Sequence, residues 1–220
     1  MSWQKVDCPI LLALFSGSTI ARGGGYASLL PLECQFGIPF YTGGGNVAES
    51  ETVVYSGKII ELFLEQVTLP NGATAELEIV RHPGGAAVVA LDPENRVCLL
   101  RQYRHAAGGW LWELPAGKLD PGEPPLTTAQ RELQEEAGLH AVRWESLGKI
   151  ISSPGVFTEV VHLFLARDLS RVPASAEAHE VFEVHWVPFA EALAQARTGA
   201  IMDAKTLAGL FRASELRGGM

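Results

Sequence analysis

The alternation of apolar and polar positions changes period along this chain, and the changes mark its elements. From Lys58 to Val67 and from Thr74 to Arg81, apolar and polar residues interleave as in half-buried strands, with turn residues Leu69-Pro-Asn-Gly72 between them. Two more strands are expected over Ala86–Leu91 and Arg96–Tyr103, separated by Asp92-Pro-Glu-Asn95. The period then becomes helical. Leu126, Ala129, Leu133 and Ala137 step by three and four, which predicts one apolar stripe on a helix from about Pro125 to Ala137. Pro125 suits its first turn, Thr127 and Gln130 suit a capping box, and Gly138 suits its end. Strands follow near Val142–Ile151, Val160–Ala166 and Val181–Val187, and helices over Pro188–Thr198 and Asp203–Leu216.

Residues 1 to about 50 differ from the rest. Gly23-Gly-Gly25 and Gly43-Gly-Gly45 interrupt them and no period is sustained, so they are expected to form a disordered or marginally ordered extension to a domain over residues 51–220. The apolar run Pro9–Phe15 is too short for a membrane span and has no good cleavage site after it. The balance is acidic, 25 Asp and Glu against 17 Lys and Arg, which argues against broad nucleic-acid binding. Cys8, Cys34 and Cys98 have no metal-type spacing and suggest a reducing compartment, so the cytoplasm is expected.

The helix at 125–137 carries the candidate chemistry. Glu132, Glu135 and Glu136 stand at i, i+3 and i+4 and share one face. Three carboxylates there repel each other unless a hard divalent cation reverses the sign, and Mg²⁺ or Mn²⁺ takes oxygen ligands. Before the helix, Pro115-Ala-Gly-Lys-Leu-Asp-Pro-Gly-Glu123 reads as a loop whose glycines permit close backbone approach to a ligand. The competing reading is a solvated acidic face with an Arg131–Glu135 pair.

The whole string decides between them. Gly117, five residues, Glu123, seven residues, then Arg131-Glu-Leu-Gln-Glu-Glu-Ala-Gly-Leu139 resembles the Nudix box, G-x5-E-x7-R-E-U-x-E-E-x-G-U with U apolar, at every position. The resemblance implies an α/β fold, a Nudix-type α/β/α sandwich with a mixed sheet plus N-terminal antiparallel strands. It implies Glu132, Glu136 and Glu135 as metal ligands, Glu135 through water, with the Ala116 carbonyl completing the shell. Gly117, Gly138 and a Glu123–Arg131 ion pair would be structural.

From roughly Val53 to Arg212 the chain is similar to the ADP-ribose pyrophosphatase branch. The pieces are Tyr55-Ser-Gly-Lys58, His82-Pro-Gly-Gly85, Arg101-Gln-Tyr-Arg104, Trp112-Glu-Leu-Pro-Ala-Gly117 and Pro154 past the box. The string that marks NADH pyrophosphatases after the box does not occur, and Val156-Phe157 stands where diadenosine polyphosphate hydrolases tend to have a tyrosine.

By that resemblance Arg104 would hold substrate phosphate, with Lys118, Glu113 and Ser153 as further substrate contacts and Arg81 and Arg101 weaker ones. An adenine-stacking aromatic would come from Tyr55 or Phe63, with core packing the competing job for Phe63. The water-activating carboxylate would be Glu180, then Glu177, then Glu159, with Glu135 also in the catalytic set. The expected reaction is Mg²⁺-dependent hydrolysis of ADP-ribose to AMP and ribose 5-phosphate by a homodimer. The alternatives are another ADP-sugar or nucleoside diphosphate linked to X, or a non-catalytic ADP-ribose sensor.

Overall fold

The structure is a computed structural model and describes residues 48–175 and 181–216. The expected extension, except for its last three residues, lies outside the described residues. Ten strands and three α-helices follow. The strands are β1 (Ser50–Ser56), β2 (Glu61–Thr68), β3 (Thr74–Arg81), β4 (Gly85–Ala90), β5 (Arg96–Arg104), β6 (Gly109–Glu113), β7 (Ala116–Lys118), β8 (Leu139–Ile151), β9 (Val160–Arg171) and β10 (Phe182–Pro188). The helices are α1 (Pro125–Ala137), α2 (Phe189–Thr198) and α3 (Ala204–Glu215).

The strands form three sheets: antiparallel β1-β2-β3, antiparallel β10-β5-β6, and mixed β7-β4-β9-β8, in which β4 and β9 run parallel. The organising strand is β4. All six of its residues, Gly-Ala-Ala-Val-Val-Ala, are buried, as a strand covered on both faces requires. Successive side chains point to opposite faces. Ala87 and Val89 join Leu99, Leu163, Leu165, Ile201 and Leu210 in a core shared with α2 and α3. Ala86, Val88 and Ala90 join Ala129 and Leu133 of α1 in a second core. The layers are therefore helix, sheets and helix, and α1 is clamped to the sheet by its apolar stripe.

Three strands escaped the sequence reading. The first, β1, is exposed at every residue, so it lacks the alternation that a buried face imposes. The second, β6, opens on Gly109 and mixes Trp, Leu and Trp without a polar beat. The third, β7, falls inside the expected Gly/Pro loop. It exists because Gly85, Ala86 and Ala87 of β4 pair with Lys118, Gly117 and Ala116.

Two local expectations for α1 are corrected. The capping box does not form: the helix begins at Pro125, Pro124 is the N-cap, and Thr127 lies inside the first turn with its N–H donated to the Pro124 carbonyl. Leu126 is exposed, so the stripe narrows to Ala129, Leu133 and part of Ala137. The stop signal is as expected. Gly138 adopts φ 63°, and its N–H closes on the carbonyls of Gln134 and Leu133. Asp203 caps α3, its carboxylate accepting the Thr206 N–H at 3.0 Å.

Leu133 is fully buried under β4 and fixes how α1 sits. Leu133→Ala is expected to cost about 2–5 kcal/mol. A urea unfolding curve should show a lower midpoint with an unchanged slope.

Candidate active site

The box folds into a loop and a helix braced by one guanidinium. Arg131 Nη2 donates to Glu123 Oε2 at 3.0 Å and Nε to Oε1 at 3.3 Å, while Nη2 also donates to the Lys118 carbonyl at 3.1 Å. The Thr128 hydroxyl donates to Glu123 at 2.7 Å. These bonds from Arg131 and Thr128 hold the Glu123 carboxyl down to about 2, and the same partner raises Arg131 above its ordinary value. The expected structural pair is thus formed.

The remaining Arg131 donors reach the acidic edge. Nη1 donates to Glu132 at 2.7 Å and to Glu135 at 3.1 Å. Glu136 Oε2 accepts the Ala116 N–H at 2.8 Å. Glu132 and Glu136 are buried, at 8% and 3% exposure, and a Cβ on Gly117 would collide with the Glu132 carboxylate. Glycine at 117 therefore makes room for an acid against the backbone. Two buried carboxylates and a half-buried third are hard oxygen donors, a set that suits Mg²⁺ or Mn²⁺. Arg131 Nη1 bridges Glu132 and Glu135, the Ala116 N–H holds Glu136, and among the described residues no three His, Cys, Asp or Glu side chains close into a ready cage.

A cleft of about 730 Å³ opens on this edge, within the range of small-molecule sites. Arg104, Ala116, Gly117, Lys118, Arg131, Glu132, Glu135 and Glu136 all line it. Arg104 leaves β5 and forks onto Glu113, Nε to Oε1 at 2.8 Å and Nη2 to Oε2 at 3.0 Å. Glu113 is 2% exposed and stands behind the cleft wall. Burial pushes its pKa up, but hydrogen bonds from Arg104 and Lys205 outweigh that and hold it below the usual carboxylate range.

Other expected contacts lie elsewhere. Arg81 does not line the cleft; it bonds Glu51 at 2.5 Å and Glu65 at 2.6 Å and covers the Phe63 ring at 3.7 Å. Phe63 is buried there, and Tyr55 is exposed on β1, so neither lines the cleft; Tyr103 does. Arg101 packs over Trp110. Ser153 caps a turn, its carbonyl accepting from Val156 and Phe157, and its neighbour Ser152 lines the cleft.

Glu180 and Glu177 lie outside the described residues. Glu159 reaches the cleft, with its carboxylate 3.6 Å from His82 Nδ1. Sequence reasoning passed over His82, which also lines the cleft. Its Nδ1 accepts the Gly84 N–H at 3.0 Å, so the neutral ring carries its proton on Nε2. Burial and Lys118 lower its pKa against the pull of Glu159. Lys205 and Asp203 were missed as well. They open α3, a helix whose apolar stripe gave no sign that its first turn meets β6. Cys98 is buried, and burial together with Glu136 pushes its thiol up to about 12, out of reach of thiolate chemistry.

A family model described as NUDIX domain matches residues 81–209. The chain is similar to the methanol dehydrogenase activator of Bacillus methanolicus, 38% identical over 169 residues, spanning 74% of this chain and 91% of that protein. It is 41% identical over 155 residues to the ADP-ribose pyrophosphatase of Bacillus subtilis, spanning 70% of this chain and 84% of that one. With the ADP-ribose pyrophosphatase of Mycobacterium tuberculosis it shares 39% over 165 residues, 74% and 80% of the two chains. A crystal structure of an ADP compounds hydrolase superposes with a TM-score of 0.69 at 22% identity, covering 79% of this chain and 95% of that one, a likeness of fold.

The depressed Glu123 carboxyl predicts a pH effect. An unfolded Glu titrates near about 4.3. The stability Glu123 contributes is complete above that value and is lost as pH falls toward about 2. The thermal midpoint of Glu123→Gln should lie below that of the parent at neutral pH, and the gap should close between about pH 5 and pH 2. Glu113 shifts in the same direction in both proteins and cancels from the difference.

Proposed function

The chain belongs to the NUDIX family, and on that footing we propose that it hydrolyses the diphosphate of ADP-ribose, giving AMP and ribose 5-phosphate. One observation carries the reading: the box acids, the phosphate-type arginine Arg104 and the backbone of Ala116 and Gly117 line one cleft of substrate size. The two ADP-ribose pyrophosphatases among the relatives support the choice of substrate.

Glu132, Glu135 and Glu136, with the Ala116 carbonyl, would hold Mg²⁺ or Mn²⁺. When bound, the ion neutralises diphosphate charge and polarises the phosphoryl oxygens. Arg104 has five N–H donors and gives two to Glu113, and among the described residues the other three are left for phosphate oxygen. Lys118 adds a point charge at the rim of the cleft. A carboxylate must take the proton of the attacking water. Glu180 remains the first candidate on resemblance and Glu177 the second. Glu159 is supported by its place in the cleft.

We take residues 51–220 as the catalytic domain, residues 1–50 as an extension, and the protein as a cytoplasmic homodimer that binds no nucleic acid. Exposed Val53, Val54, Tyr55 and Leu77 on the β1-β2-β3 sheet support the dimer. Among the described residues, no helix is long and apolar enough to cross a membrane.

Incubation with ADP-ribose and Mg²⁺ should release AMP, read by chromatography. Tight binding without AMP would make the protein a sensor instead. Preferential turnover of ADP-glucose, NADH or a diadenosine polyphosphate would move the assignment to another nucleoside diphosphate linked to X. Glu136→Gln should lower turnover by roughly 10²–10³-fold, the scale of losing one placed electrostatic group, while leaving the circular dichroism spectrum unchanged.

A further inference from the structure

Two cations that line the cleft, Arg104 and Lys205, share one buried acid behind its wall. Glu113 Oε2 accepts from Arg104 Nη2 at 3.0 Å and from Lys205 Nζ at 2.5 Å. Lys205 also reaches Asp203 Oδ1 at 3.0 Å, and the other Asp203 oxygen, Oδ2, accepts from the Thr206 N–H and hydroxyl. Thr206 Oγ1 in turn accepts the Leu114 N–H at 2.9 Å, which joins the first turn of α3 to the end of β6 next to Glu113. The order along the wall is Arg104, Glu113, Lys205, Asp203, with signs alternating. The exposures differ: the Arg104 side chain is 42% exposed, whereas that of Lys205 is 17%.

A buried carboxylate must be compensated where it stands. Were Arg104 its only partner, the guanidinium would be held by the whole of that charge and would offer less of its own to a ligand. Lys205, on the α3 side of the cleft, takes part of the demand. From this geometry we propose that Lys205 is a positioning residue. By neutralising Glu113 from the α3 side, it leaves Arg104 with positive charge to present to the diphosphate. The role rests on the diphosphate reading of the cleft and deepens it, because it assigns the strength of the phosphate contact to a residue of the C-terminal helix.

The test is a double-mutant cycle of Lys205→Met and Glu113→Gln, with Lys205→Arg as the conservative variant. Two readouts are used: KM and kcat for ADP-ribose, and calorimetric binding of inorganic pyrophosphate in Mg²⁺. Lys205→Met should raise KM and weaken pyrophosphate binding by about tenfold, with kcat changed much less. Lys205→Arg should restore most of the loss. In the Glu113→Gln background, where Arg104 no longer faces a buried acid, Lys205→Met should have little further effect on KM and pyrophosphate binding. That double variant leaves no acid at position 113, and Asp203 still accepts from Thr206, so it keeps the test alive if Lys205→Met fails to fold. A loss from Lys205→Met that persists undiminished beside Glu113→Gln would mean direct ligand contact and overturn the proposal. A lower thermal midpoint with KM and pyrophosphate binding unchanged would reduce Lys205 to a helix anchor and overturn it equally. Because pyrophosphate binding needs no turnover, a parent protein that binds it yet leaves ADP-ribose intact would refute the substrate assignment alone.

Discussion

Arg131 donates to the carboxylates of Glu123, Glu132 and Glu135 and to the carbonyl of Lys118, and the site depends on that convergence. Glu123 and Lys118 belong to the segment before the helix, and Glu132 and Glu135 to the helix itself. A single planar cation with donors in a fixed fork thus ties the two halves of the box together. Lysine could not do the same, since it has one nitrogen and three donors at a point. Leu133 and Ala129 press the other face of the helix into β4, so the acidic edge is fixed from both sides.

The fold was legible where burial imposes a period. α1 is amphipathic because one face meets β4 and the other meets the cleft, and both its stripe and its glycine stop were visible. β1 and β7 were not. β1 has no buried face to impose alternation, and β7 is a strand only because β4 offers it partners. The capping box misled because a Thr three residues before a Gln matches the motif, whereas the backbone N–H groups at that end are organised by Pro124 and Pro125. The site was legible where spacing is short. Residues of the box sit within one loop and one helix, so their geometry follows from helical pitch. His82, Lys205 and Asp203 arrive from distant segments, and their approach is a tertiary fact that no local pattern carries.

The protein carries a formal charge of −8, yet its cleft is designed for an anion. The resolution is local. Each buried acid near the cleft has a neighbour that donates to it: Arg131 for Glu132, the Ala116 N–H for Glu136, and Arg104 with Lys205 for Glu113. Net charge describes the whole surface, while a few placed donors decide what happens at one point.

The segment between Ser152 and Glu159 is not a free loop. Val80 at the end of β3 donates its N–H to Val156 and accepts from Thr158, and the next amide but one, that of His82, donates to the Thr158 hydroxyl. The outer three-stranded sheet and the span ending in Glu159 are thereby stitched by main chain. The position of that sheet therefore bears on where the carboxylate stands, through hydrogen bonds that bypass the packed interior. The periphery of the molecule, which looks like mere covering, is a foundation for one wall of the cleft.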